Sequence, residues 1–166
     1  MIYAFDTYYF DQHARTVCLA FEDWAAEQES AVYTTELEVP SEYESGAFYK
    51  RELPCILDAI SKIKMAPDAL IIVDGFVSLD DEGKKGLGSY LFDSLEGKYP
   101  VIGIAKNGYA AFDSKRREVY RGASKKPLYL TAISANVDQI TEEVKAMHGE
   151  YRIPTLLKRL DQLTRA

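Results

Sequence analysis

Three carboxylates stand where the chain turns from apolar to polar. Asp6 ends or interrupts the run Ile2-Tyr-Ala-Phe5, Asp74 closes the run Ala69-Leu-Ile-Ile-Val73, and Glu52 falls at or near the start of a helical pattern. In an open α/β sheet ligands gather at the carboxyl ends of strands, so two strand-ending aspartates are candidates for one site. Three acids brought together repel one another, and a hard divalent cation such as Mg²⁺ or Mn²⁺, which takes oxygen ligands, resolves that repulsion. A pair of such ions activates water and stabilises a leaving oxygen in phosphodiester hydrolysis. Plainer readings stay open: Asp74-Gly75 as a turn, Glu52 as an acid matched to a helix dipole, Asp6 as a hydrogen-bonded loop residue.

The surrounding pattern predicts the elements that would carry these acids. Met1–Asp6 and Thr16–Phe21 read as strands about a polar turn, Asp11–Arg15, and Ala31–Val39 as a third strand stopped by Pro40. Leu53, Ile56, Leu57, Ile60 and Ile63 recur at helical spacing, giving a helix over Tyr49–Ile63 with Pro54 in its first turn. A buried strand at Ala69–Val73, a helix at Gly86–Leu95 and a second buried strand at Val101–Ala105 turn the order to β-α-β. Glu118–Tyr120 and Leu128–Ile133 suit a late hairpin or sheet edge. Helices follow at Val137–Met147, capped by Asn136, and at Thr155–Thr164. With no linker or repeat, 1–166 reads as a single domain. The expected fold is α/β and ribonuclease-H-like: a mixed sheet of three antiparallel strands followed by parallel strands with flanking helices.

Composition bounds the rest. At 47% hydrophobic, 166 residues can bury a full core without disulfides, and Cys18 and Cys55 read as buried thiols. No secretory leader or membrane-spanning run is evident, so a soluble, cytoplasmic protein is expected. The net charge of −6 speaks against wholesale nucleic-acid binding, but the stretch from Lys106 to Lys126 holds seven basic residues against Asp113 and Glu118. That run is either a solvated hairpin or a local footprint for a polyanion.

Five blocks, in order, carry a resemblance. Phe5-Asp6 with the Thr16–Phe21 strand, Gly46-Ala-Phe-Tyr-Lys-Arg-Glu52, Pro67-Asp68 through Val73-Asp74-Gly75, Ile102-Gly-Ile-Ala-Lys106, and Lys126-Pro-Leu-Tyr129 with Tyr151-Arg-Ile-Pro154, Lys158 and Asp161 together resemble the endonuclease V family. The resemblance implies a ribonuclease-H-like, Mg²⁺-dependent nuclease, with Mn²⁺ able to substitute, that recognises deaminated bases such as inosine in DNA or RNA. It cuts one phosphodiester further to the 3′ side, leaving 3′-hydroxyl and 5′-phosphate ends. It also implies Asp6, Glu52 and Asp74 as metal ligands and Lys106 as a point charge near the scissile phosphate.

The sequence departs from the family in four places, one of them the loop past Asp74, where a His-Pro-Arg stretch becomes Asp80-Asp81-Glu82-Gly83-Lys84-Lys85. The Pro-Tyr-Ile-Pro wedge becomes Glu42-Tyr43-Glu44-Ser45, which removes its rigidity and leaves Tyr43 to stack on an unpaired base. The family's late histidine aligns with Ala132-Ile133, and Asp138 is the acid expected to substitute as an outer ligand. The helix that precedes the first strand in typical members has no counterpart, so a short, divergent member is expected, one that acts on single strands or RNA. Arg121, Lys125 and Lys126 are expected to line the nucleic-acid approach. The rival reading is a nucleic-acid-binding or regulatory module with weakened catalysis on the same scaffold. A small-molecule enzyme would need a phosphate loop or nucleophile motif, and neither is found.

Overall fold

The computed structural model describes residues 1–38, 48–108 and 113–166. Their strands form a seven-stranded sheet in the order β3-β2-β1-β4-β5-β7-β6. Strands β1 (Ile2–Phe10), β2 (His13–Phe21) and β3 (Ala31–Glu38) are an antiparallel meander. Phe10 pairs with His13, so the first turn is only Asp11 and Gln12. Asp11 takes a left-handed backbone, φ 47°, the conformation that matches a two-residue turn to the twist of its strands. Both strands therefore run further than their polar residues suggested, and Asp6 lies inside β1 rather than at its end.

Strands β4 (Leu70–Asp74) and β5 (Val101–Ala105) run parallel to β1, with Phe5 opposite Val73 and Asp74 opposite Ile104. Strand β7 (Leu128–Ile133) then returns antiparallel along β5, and β6 (Arg117–Val119) closes that edge. Because successive strand residues point to opposite faces, each central strand feeds two cores. Tyr3, Phe5, Ile71, Val73 and Val101 pack beneath helices α1 (Phe48–Ser61) and α2 (Leu87–Ser94). Ile2, Ala4, Ile72, Ile102 and Leu130 pack beneath α3 (Val137–Lys145) and α4 (Thr155–Arg165). Both cysteines are buried and unbridged.

Helix α1 begins within one residue of the predicted start, but Pro54 lies inside the helix rather than in its first turn. Tyr49 packs on the core with Leu53, Ile56 and Ile60, so the apolar stripe runs the length of the helix, and Pro54 lies on the exposed side. Glu52 is thereby in the second turn of the helix, not at its mouth. Helix α3 starts as its capping residue predicts: Asn136 Oδ1 accepts the backbone N–H groups of Asp138 and Gln139 at 3.0 and 3.1 Å.

One close approach shapes the turn after β4. A side chain at Gly103 would place its Cβ 2.5 Å from the Gly75 carbonyl oxygen and 2.8 Å from Thr131 Oγ1. Glycine lets the chain beyond Asp74 lie flat across β5, where Val77 N–H donates to Thr131 Oγ1 at 2.8 Å. Among the described residues no helix is long and apolar enough to cross a membrane.

Candidate active site

Strand alternation decides which acids can meet. Ile2 and Ala4 face α4, so the same parity carries Asp6 to that side; Ile72 does the same for Asp74, and Ile102 and Ile104 for Lys106. The pairing of Phe5 with Val73 makes Asp6 and Asp74 the next rung of the parallel ladder. Together with Lys106 they line a pocket floored by Ile72, Ile104 and Leu128 and walled by Ile153, Leu157 and Leu160. Glu52 arrives over the rim from α1, on the opposite face. It is 7% exposed, with the hydroxyls of Thr7 and Tyr9 facing its carboxylate and favouring its charged form. Thr7 Oγ1 lies 2.9 Å from Thr16 Oγ1, and the Arg51 guanidinium stacks 3.5 Å from the centre of the Tyr9 ring.

These acids are electrostatic neighbours. Burial and then Asp74 push the Asp6 carboxyl up to about 7, against the pull of Lys106 and of the Thr7 N–H, which donates to Asp6 Oδ1 at 3.0 Å. Burial and then Asp6 push Glu52 up to about 8. Asp74 opens to water at the mouth, yet the protein packed about it still desolvates it, and that, with Asp161, raises its pKa while Lys106 lowers it. The set offers hard oxygen donors whose shared penalty is relieved by positive charge, which fits a divalent cation. Among the described residues no three acid, histidine or cysteine side chains yet converge into a closed cluster that could hold an ion.

Asp161 is a further acid at the pocket, one that sequence reasoning left without a role. It projects from α4 to 3.9 Å from Lys106 Nζ and raises both Asp6 and Asp74. Its signal was present: with Leu157, Leu160 and Thr164 it falls on the apolar side of an amphipathic helix, where an acid is out of place unless paired, and here it meets Lys106 and Arg165. Arg152 was likewise passed over. Its guanidinium donates to the Lys106 carbonyl and, at 2.7 Å, to that of Pro127, tying the end of β5 to the start of β7.

Three predicted roles need revision or fall elsewhere. Asp138 stands at the wrong end of the sheet: β7 runs antiparallel to β5 and ends with Ile133 opposite Val101, whereas Lys106 follows the far end of β5. Its carboxylate is 74% exposed and accepts from Arg117 Nε at 2.7 Å, so it is an ion-pair partner and not a ligand beside Asp74. Ile133, where the family's histidine was aligned, lies at that same distant edge. Arg121 is 4% exposed and turned inward, donating to the carbonyls of Met147, Gly149, Tyr151 and Arg152, so it cannot meet a phosphate. Lys125 and Lys126 are exposed, in the loop before β7 and at the same edge as Lys106. Tyr43 lies outside the described residues.

A family model described as Endonuclease V matches residues 1–151. No curated protein sequence matches the chain. Among solved structures, Ciona intestinalis endonuclease V bound to a 24mer DNA containing an inosine followed by a ribo-adenosine superposes with a TM-score of 0.75 at 16% identity, covering 99% of this chain and 84% of that one. Bacillus subtilis endonuclease V gives 0.69 at 19% identity, covering 99% and 78%. Marinitoga piezophila Argonaute, in complex with a 5′-OH guide RNA, gives 0.58 at 13%, covering 99% of this chain and 29% of that one. The fold is the ribonuclease-H-like one expected from the order of elements.

Proposed function

Because the chain belongs to the endonuclease V family of nucleases, we propose that it is a divalent-metal-dependent endonuclease that hydrolyses phosphodiester bonds of DNA or RNA on the 3′ side of deaminated bases such as inosine. The observation that carries this reading is that Asp6 and Asp74, neighbours on adjoining parallel strands, line one pocket with Lys106, while Glu52 sits over the rim as an electrostatic neighbour of Asp6. Asp6, Asp74 and Glu52 would hold Mg²⁺ or Mn²⁺, with Asp161 close by. When bound, the metal supplies a water of lowered pKa and stabilises charge on the leaving oxygen.

The chain's own residues do the positioning. Thr7 and Tyr9 orient Glu52 and oppose, without cancelling, the upward push of burial and Asp6 on its carboxyl. Lys106, held by Arg152 through its backbone and by Asp161 at its head, presents a positive charge where a phosphate must approach. The apolar floor beneath limits the water that can compete for those charges. That all strands lie in one sheet supports reading residues 1–166 as one domain. Recognition of inosine draws its support from the family and from the inosine-containing DNA in the Ciona intestinalis complex.

The test is cleavage of end-labelled single-stranded and duplex DNA and RNA, with and without a central inosine, in Mg²⁺ and in Mn²⁺. Wild type should cut at a fixed offset 3′ of inosine, and Asp74→Asn should lose at least about a hundredfold in rate, the scale of removing a charge-stabilising group. Cutting unaffected by Asp74→Asn would overturn the site. A folded wild type that binds but cuts no substrate would make the chain a binding module.

A further inference from the structure

Resting on that nuclease reading, we infer that Tyr151 is a stacking platform for an unpaired base next to the cleavage site, which makes single-stranded nucleic acid the preferred substrate form. The ring is 75% exposed, the most exposed large hydrophobic side chain among the described residues. Its backbone is anything but loose. Arg121, buried beneath, donates to four carbonyls from Met147 to Arg152 and so clamps the turn on both sides of Tyr151. Gly122, at φ +58°, brings the chain so close that a side chain there would strike the Glu150 carbonyl.

Burying a guanidinium is costly, and the cost is offset only where its donors are well used. Here they hold rigid a turn whose most prominent feature is an exposed aromatic ring. Preorganisation of that kind reduces the entropy lost when a partner stacks on the ring. The next residue, Arg152, donates to the Lys106 carbonyl and to that of Pro127. The platform is therefore one residue from the staple that holds the phosphate-facing lysine. Exposed Lys125 and Lys126, immediately before Pro127, supply positive charge along the same rim.

An aromatic face beside lysines and next to a phosphodiester site fits a strand whose backbone follows the charges while a base leaves its stack. In a duplex the bases are already stacked on one another and offer the ring no face. Glu150 lies beside the tyrosine and repels phosphate, so the ring, rather than charge at its own position, must carry the contact.

The experiment measures binding, with Ca²⁺ replacing Mg²⁺ so that acids are neutralised without relying on turnover. Fluorescence anisotropy would follow labelled single-stranded DNA, its RNA counterpart and a blunt duplex. Tyr151→Ala should weaken single-strand binding about five- to a hundredfold, the loss expected for one stacked base, and change duplex binding by less than about twofold. Tyr151→Phe and Tyr151→Trp should keep wild-type affinity, the latter with indole quenching on binding. Lys125→Ala with Lys126→Ala should instead flatten the salt dependence by a slope of about 1.4, which Tyr151→Ala leaves alone. Single-strand affinity unmoved by Tyr151→Ala, an equal loss on duplex, or no nucleic-acid binding by wild type overturns the inference. Tyrosine-dependent binding with no cleavage in Mg²⁺ overturns the nuclease reading and leaves this one standing.

Discussion

Asp6 and Glu52 are held near neutral pH as proton acceptors, and this has a definite sign for stability. Their pKa values in the metal-free fold, about 7 and about 8, lie above the ordinary carboxylate range, so the folded chain binds more protons than the unfolded one between roughly pH 4 and pH 8. Stability from these groups is therefore complete below pH 4 and is lost as pH rises through 7 and 8. Asp6→Asn and Glu52→Gln should each stabilise the metal-free protein above pH 8, by on the order of 1–3 kcal/mol, and leave it nearly unchanged at pH 4. Urea titrations at the two pH values check this. A wild type more stable at pH 8 than at pH 5 without metal would contradict it. If Mg²⁺ binds these acids as proposed, it should displace protons near pH 7, which calorimetry in buffers of different ionisation enthalpy would detect.

At the scale of elements, what could be read from the sequence was the order and type of the pieces, and which acids end on them. Apolar runs bounded by Asp74-Gly75 and by Lys106 could hardly be anything but buried strands, and Asn136 marked the start of α3 unaided. Less legible was anything set by a partner distant in sequence. Nothing local says that Arg121 turns inward, since its acceptors are carbonyls of a turn 26 to 31 residues later. The direction of β7 likewise decides which end of the sheet Asp138 occupies, and a strand's direction is not written in its residues. Asp161 was visible as an acid on an apolar helix face but had no stated role, because the surface it faces belongs to β1, β4 and β5. The revised roles predict a contrast. Arg121→Leu should destabilise the fold by about 2–4 kcal/mol by leaving buried carbonyls unpaired. Asp138→Asn should leave Mg²⁺ affinity unchanged. Chemical denaturation and metal titration read the two effects, and a loss of metal binding in Asp138→Asn would restore its predicted place.

Over the whole molecule, the site is assembled from the first strand, the first helix, the second and third parallel strands, and the last helix. No contiguous portion holds it, and both cores press on the same central strands. Unfolding should accordingly be one transition, with far-ultraviolet and near-ultraviolet circular dichroism tracing the same midpoint. Two separated midpoints would divide what is proposed as one domain. The charge distribution follows the same geography: the net −6 is spread over the surface, while Lys106, Lys125 and Lys126 gather at the carboxyl edge of the sheet.

The family match stops at residue 151, one residue before Arg152, yet the chain beyond it walls the pocket with Leu157 and Leu160 and brings Asp161 to the other acids. Helix α4 is thus a bolt that carries like charge into its own socket. Lys106 Nζ at 3.9 Å and Arg165 Nε at 3.3 Å meet part of that charge, and buried Leu156 and Leu160 hold the helix down. If the site takes the proposed cation, seating of the C-terminal helix and filling of the site become one equilibrium seen from two ends, and proteolysis at the 147–152 turn should then lower metal affinity.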